Sequence, residues 1–165
     1  MHRQQRGEFA VPADGTQTIS LTGAALPSIT KPVVIDGTTQ RAFQQASGGS
    51  LAEPPPGPLG IVLDGTNSSI DGLVLGAGSD GSTIRGLSLV NFETVGVGDS
   101  AAILVGSSDN LVVGNHIGVG SDGTTVGRNG HGIRITGQNN SIGGVTAADR
   151  NVISGNREGI PMWGF

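Results

Sequence analysis

Two near-identical octapeptides, GAGSDGST at 76–83 and GVGSDGTT at 118–125, both carry the spacing G-x-G-x-x-G. In a dinucleotide-binding loop those glycines let the backbone approach a pyrophosphate held at a helix N-terminus. Such chemistry needs a strand before the glycines and a helix after them. Here GAGSDG is followed by STIRGLSLV, a pair of short strands, and GVGSDG by TTVGRNGHG, which has no helical periodicity. The phosphate-loop alternative lacks its lysine, because Thr124 and Thr125 follow Gly123. The calcium-binding nonapeptide G-G-x-G-x-D-x-U-x overlaps Asp80 and Asp122, but its apolar position would fall on Ser82 and Thr124, and no tandem copy follows. Both octapeptides therefore read as chain corners, with the aspartates capping turns through nearby backbone. Neither a cofactor nor a metal is expected.

Histidines are the remaining candidates for acid–base work. His2 lies in an unpatterned N-terminal stretch, His116 alternates outward beside Ile117, and His131 opens the next strand. The loop between the last two brings in Asp122. A His-Asp-His group would bind a divalent metal or move protons. The plainer reading is surface histidines flanking a loop. If the chain has a catalytic centre, His116, Asp122 and His131 are its expected members.

What must position these residues follows from composition. The 165 residues amount to one domain, and 30 of them are glycine, more than twice the roughly 7% of an average protein. Aromatics make up 3% and tyrosine is absent, so the core must be stacked from small aliphatic and β-branched side chains between glycine-rich turns. A net charge of −4 without a basic cluster argues against nucleic acid or an anionic membrane as partner. The lack of cysteine excludes disulfides and thiolate metal sites. No apolar run approaches the roughly 18 residues of a membrane span, and MHRQQRG does not read as a signal peptide.

The chain repeats itself. VVIDGT at 33–38 recurs as IVLDGT at 61–66. Leu73, Ile103 and Ile133 stand at one position of GLVLG, AILVG and GIRITG, and Ile160 continues the series. A further series is STIRG, NLVVGN and NSIGG; another is LSLVN, HIGVG and NVISGN, starting at Leu87, His116 and Asn151. Three short strands per period, separated by Gly, Asn, Asp and Ser and with no helix between them, predict an all-β solenoid in which each strand pairs with its equivalent one period away. The domain is expected over 10–159, with a Pro-rich insertion near 38–60 that contains AEPPPGP. Residues 1–9 read as a tail without strand pattern, and 160–165, which holds the single Trp, as an end that breaks off just as a strand begins; both look foreign to the repeat.

STIRGLSLVNF, NLVVGNHIGVGSDGTTVGRNGHGIRITGQNNSIGG and DRNVISGNREGI resemble the right-handed parallel β-helix repeats of large bacterial secreted or cell-surface proteins. The resemblance implies a β-helix of four to five coils with three short strands per coil. It also implies a place in the superfamily that holds pectate-lyase-like enzymes, polygalacturonase-like hydrolases and non-catalytic surface stalks. Lyases of that kind use an outward column of acidic and basic residues. The column here is Val74, Leu104 and Arg134, and it lacks carboxylates. Hydrolases need paired carboxylates within about 10 Å, for which Asp80 and Asp109 are the candidates. Asp80, Asp109 and Arg134 are accordingly the expected contacts for a polysaccharide, should one bind. Asn110, Asn140 and Asn151 precede equivalent strands, while Asn115 and Asn156 end them, so stacked asparagines are expected to bond one coil to the next. The expectation is a non-catalytic structural or adhesive module that forms homo-oligomers through coil ends or an apolar outer face; a polysaccharide lyase or glycoside hydrolase is the alternative.

Overall fold

The computed structural model describes residues 5–12, 14–22, 24–40, 59–66, 68–93 and 99–161. Short runs, most of them with alternating aliphatic residues and most cut off by Gly, Asn or Asp, form thirteen strands among the described residues. They are β1 (Gln5–Glu8), β2 (Gln17–Ser20), β3 (Val33–Asp36), β4 (Ile61–Asp64), β5 (Leu73–Leu75), β6 (Thr83–Arg85), β7 (Leu87–Val90), β8 (Ala101–Val105), β9 (Leu111–Val113), β10 (His116–Ile117), β11 (His131–Ile135), β12 (Ser141–Ile142) and β13 (Val152–Ile153). A 3-10 turn covers Ala147–Asp149.

These strands make three parallel sheets. The first has the order β1-β3-β6-β9-β12, the second β2-β4-β7-β10-β13 and the third β5-β8-β11. Isolated bridges extend the third sheet at both edges, Ile29 to Leu75 and His131 to Glu158. The chain visits the first, second and third sheet in rotation, and each passage, here termed a circuit, pairs with the one before it. Circuit three, for example, is β6, β7 and β8; circuit four is β9, β10 and β11.

Register follows the aliphatic spacing. Leu73 pairs with Ile103 and Ile103 with Ile133, all three buried. The first sheet buries Ile84 and Val112 in one column, and the second buries Leu63, Leu89 and Ile117 in another. Val74, Leu104 and Arg134 also align, and all are half-buried on the outer side of the third sheet. The three inner columns meet in one core, where Phe92 is fully enclosed. Gly72 makes room for that ring: a Cβ there would lie 2.9 Å from Phe92 Cζ and 2.3 Å from the Ala102 carbonyl oxygen.

Three sequence expectations need correction. VVIDGT and IVLDGT are not one position seen in two circuits, because Val33–Asp36 belongs to the first sheet and Ile61–Asp64 to the second. What they share is turn chemistry: Asp36 Oδ1 accepts the Thr38 N–H at 3.1 Å, and Asp64 Oδ1 accepts the Thr66 N–H at 2.8 Å. The N-terminal stretch is not strandless, since Gln5–Glu8 pairs in parallel with Val33–Asp36. In the fourth series Ser88 aligns with His116 and His116 with Val152, so the equivalents of Leu87 are Asn115 and Asn151. AEPPPGP, His2 and MWGF lie outside the described residues.

Because Ile103 sits in the middle of its column, Ile103→Ala should lower stability by roughly 2–5 kcal/mol through the cavity it leaves. Ile103→Asp should abolish the cooperative thermal transition, because it buries an unpaired charge. Circular dichroism melts check both, and an unchanged midpoint for Ile103→Asp would contradict the register.

Candidate functional site

The second GxGxxG stretch lies in an excursion over 118–127 that leaves β10. Val119 and Val126 bridge antiparallel, the Gly120 N–H donates to the Thr125 carbonyl at 2.7 Å, and the Gly123 N–H donates to the Gly120 carbonyl at 2.9 Å. The excursion is thus a hairpin with Asp122 at its tip. Asp122 Oδ1 accepts the N–H groups of Thr124 and Thr125, both at 2.9 Å, and Oδ2 accepts the Thr125 hydroxyl at 2.6 Å. The Thr125 hydroxyl and the two N–H donors hold this carboxyl below the ordinary carboxylate range. His116 Nδ1 lies 3.0 Å from the Gly120 carbonyl oxygen; a carbonyl only accepts, so Nδ1 carries the proton. A Cβ on Gly123 would lie 3.2 Å from His116 Cε1, so the imidazole packs under the hairpin tip. His116 and Asp122 each hold a different part of one loop.

His131 has other neighbours. It stands in the third sheet, whereas His116 stands in the second. Its side chain is 3% exposed, and its Nε2 lies 3.4 Å from Glu158 Oε2 and 4.0 Å from Asp99 Oδ1. Its Nδ1 has no hydrogen-bond partner. The expected His116–Asp122–His131 centre is therefore replaced by two separate sets of contacts, because neighbouring sheets present the two histidines to different loops. The reading of His131 as a surface residue is corrected too. Among the described residues no group of three His, Cys, Asp or Glu is placed to hold a metal ion.

Around His131 the corner between the second and third sheets gathers charge. Glu93 is buried and meets Arg128 Nε at 2.7 Å and Arg157 Nε at 3.9 Å. Arg134, one of the polysaccharide candidates, donates from Nη1 to the Asp99 carbonyl oxygen at 3.0 Å and places Nη2 3.8 Å from Asp71 Oδ2. Glu93, Asp99 and Glu158 escape sequence reasoning because none stands within a strand. Their signal is positional: Glu93 and Asp99 flank this corner in the third circuit, and Glu158 follows it in the fifth.

The other two polysaccharide candidates share one corner without facing each other in register. Asp80 Oδ1 accepts the Ser108 N–H at 2.8 Å, which makes Ser108 the equivalent of Asp80. Asp109 aligns instead with Asn139, and both adopt left-handed backbone at φ 59° and 56°, the conformation Gly81 takes at 77° in the circuit before. Asp80 thus bonds its corner to the same corner of the next circuit rather than capping its own turn, and Asp109 occupies a left-handed position that Asp and Asn tolerate. Arg134 lies on the third sheet, away from this corner.

Asparagine side chains link successive circuits at all three kinds of corner. At the corner entering the first sheet, Asn110 Oδ1 accepts the Ser82 N–H at 2.8 Å, and Asn140 Oδ1 accepts the Asn110 N–H at 2.9 Å. At the corner entering the second sheet, Asn115 Oδ1 accepts from Leu87 at 3.0 Å and Asn151 Oδ1 from Asn115 at 2.9 Å. At the corner entering the third, Asn129 Oδ1 accepts the Phe92 N–H at 3.0 Å, and Asn129 Nδ2 donates to Asn156 Oδ1 at 2.8 Å. The amide nitrogens reach carbonyls of the preceding circuit: Asn115 to Ile84, Asn151 to Val112 and Asn129 to Leu89. Asn110, Asn115 and Asn129 are buried. Stacked asparagines were expected, but the grouping differs: Asn151 continues Asn115 rather than Asn140, and Asn129 joins Asn156.

On the outer side of the first sheet, buried Asp36 is paired with Arg85 and accepts from Thr38. Burial opposes ionisation, but the Arg85 and Thr38 hydrogen bonds prevail and lower the Asp36 pKa. A depressed carboxyl pKa stabilises the fold above the unfolded value of about 3.9 and ceases to as pH falls through the folded value. Asp36→Asn should therefore reduce stability at neutral pH and flatten its decline below about pH 4, as measured by urea unfolding across pH. Asn115→Ala should cost about 1–3 kcal/mol, because it strands the buried Leu87 N–H. Urea midpoints check that as well.

Comparison with protein-family models, curated proteins and solved structures yields no match.

Proposed function

We propose that this chain is a right-handed parallel β-helix of four to five coils, acting as a non-catalytic structural or adhesive module of a bacterial secreted or cell-surface protein. The rotation of the chain through three parallel sheets, in register from circuit to circuit, supports the fold. Repeated circuits joined by backbone pairing suit a part that sets length and presents a surface. Polysaccharide contact and self-association along the outer faces belong to this reading.

The observation that carries it is what the polar groups do. Asp36, Asp64, Asp80 and Asp122 accept N–H groups of their own chain. Glu93 faces two arginines, and the buried asparagines bond successive circuits. These groups support the stack, whereas a catalytic groove requires ionisable side chains convergent on a reacting atom.

One observation favours the second reading, a carbohydrate-active lyase or hydrolase. Buried His131 faces Glu158 and Asp99, a combination suited to proton transfer. A panel of polysaccharides with and without calcium separates the two. The structural reading expects neither new reducing ends nor unsaturated uronate absorbance. Turnover that is lost in His131→Ala and kept in His116→Ala would overturn it and place the chemistry at His131.

A further inference from the structure

We infer that the 118–127 hairpin is a staple that couples the first two circuits to the fourth, so that the described stack opens as one unit rather than fraying from its first circuit. In a stacked repeat each unit touches only its neighbours, and stability is a sum of nearest-neighbour terms. An end circuit, with a neighbour on one side, is then the first to open. The hairpin breaks this rule. It leaves the fourth circuit after Ile117 and runs back along the outer side of the second sheet, where Val62, Ser88 and His116 align.

Its contacts descend circuit by circuit. The Val119 carbonyl accepts the hydroxyl of Ser88, in the third circuit, at 2.9 Å. Gly127 presses on the same circuit, since a Cβ there would lie 2.6 Å from Val90 Cβ. The Ser121 carbonyl accepts the N–H of Leu59, which leads into β4 of the second circuit, at 3.0 Å. The Ser121 hydroxyl meets that of Thr16, which leads into β2 of the first, at 3.3 Å. One hairpin thus bonds to four circuits. It can bear load because its base is fixed by Val119, 3% exposed, and its tip by the Asp122 contacts to Thr124 and Thr125. The His116–Gly120 contact ties it to its own strand. This assigns a role to the His116 and Asp122 pair that requires no substrate.

Native-state hydrogen exchange tests the staple. Two variants serve: one with residues 120–125 replaced by a two-residue Asn-Gly turn, which keeps the Val119–Val126 bridge, and Asp122→Ala, which loosens the tip. The reporters are the amides of Gln17 and Leu21, bonded to the Gly60 and Asp64 carbonyls, against those of Ile133 and Gly143 in later circuits. The shortened hairpin should speed exchange at Gln17 and Leu21 by about ten-fold or more relative to Ile133 and Gly143, through local opening. Asp122→Ala should shift them in the same direction by less. An equal change at all four amides, or none, would overturn the staple. If the shortened chain does not fold, Asp122→Ala decides alone, and the absence of a differential increase overturns the inference.

Discussion

Among the described residues, corners of this fold turn backbone N–H groups toward the interior, as at Ser82, Leu87 and Phe92. A buried donor left unpaired costs about as much as a lost hydrogen bond, and each circuit turns three corners. In the later circuits asparagine answers the problem at all three corner positions, whereas the Val33 N–H of the second circuit is met by the Ser82 hydroxyl at 3.1 Å. The asparagine Oδ1 accepts the corner N–H of the circuit before, and its Nδ2 reaches a carbonyl of that same circuit, as Asn115 does with Leu87 and Ile84. Glycine and left-handed Asp or Asn then supply the change of direction. The aliphatic columns could not close around Phe92 unless these corners were satisfied.

The same constraint explains how the chemistry-bearing residues are used. Aspartates followed by glycine serve as turn caps at several different corners, which is why similar hexapeptides and octapeptides recur without marking equivalent positions. The histidines follow their sheets: His116 anchors a hairpin over the second, and His131 is enclosed beside Glu158 at the edge of the third. The charge gathered by Glu93, Arg128 and Arg157 rises through successive circuits at one corner, in parallel with the Asn129–Asn156 pair.

Strand series and their inner columns were legible in the sequence because burial fixes the aliphatic spacing, as Leu73, Ile103 and Ile133 show. VVIDGT and IVLDGT misled because an Asp-Gly-Thr turn suits any corner, so its spacing reports turn chemistry rather than circuit length. β1 left no trace in the pattern of QRGE, and its pairing with Val33–Asp36 is visible only in three dimensions. Asn129 was hidden by the 118–127 hairpin, which interrupts the spacing between Ile117 and His131. The acidic neighbours of His131 were hidden for a related reason: Asp99 and Glu158 come from the circuits on either side.

The corners are bonded as well as the strands, and amide exchange of the native chain measures this. The amides of Ser82, Leu87, Phe92, Asn110 and Asn115 lie outside the strand ladders or at their ends and donate to asparagine side chains. They should exchange as slowly as the Leu111 amide, which donates to the Ser82 carbonyl between sheet neighbours. Exchange of these five amides at the rates of solvent-exposed loops would contradict the account.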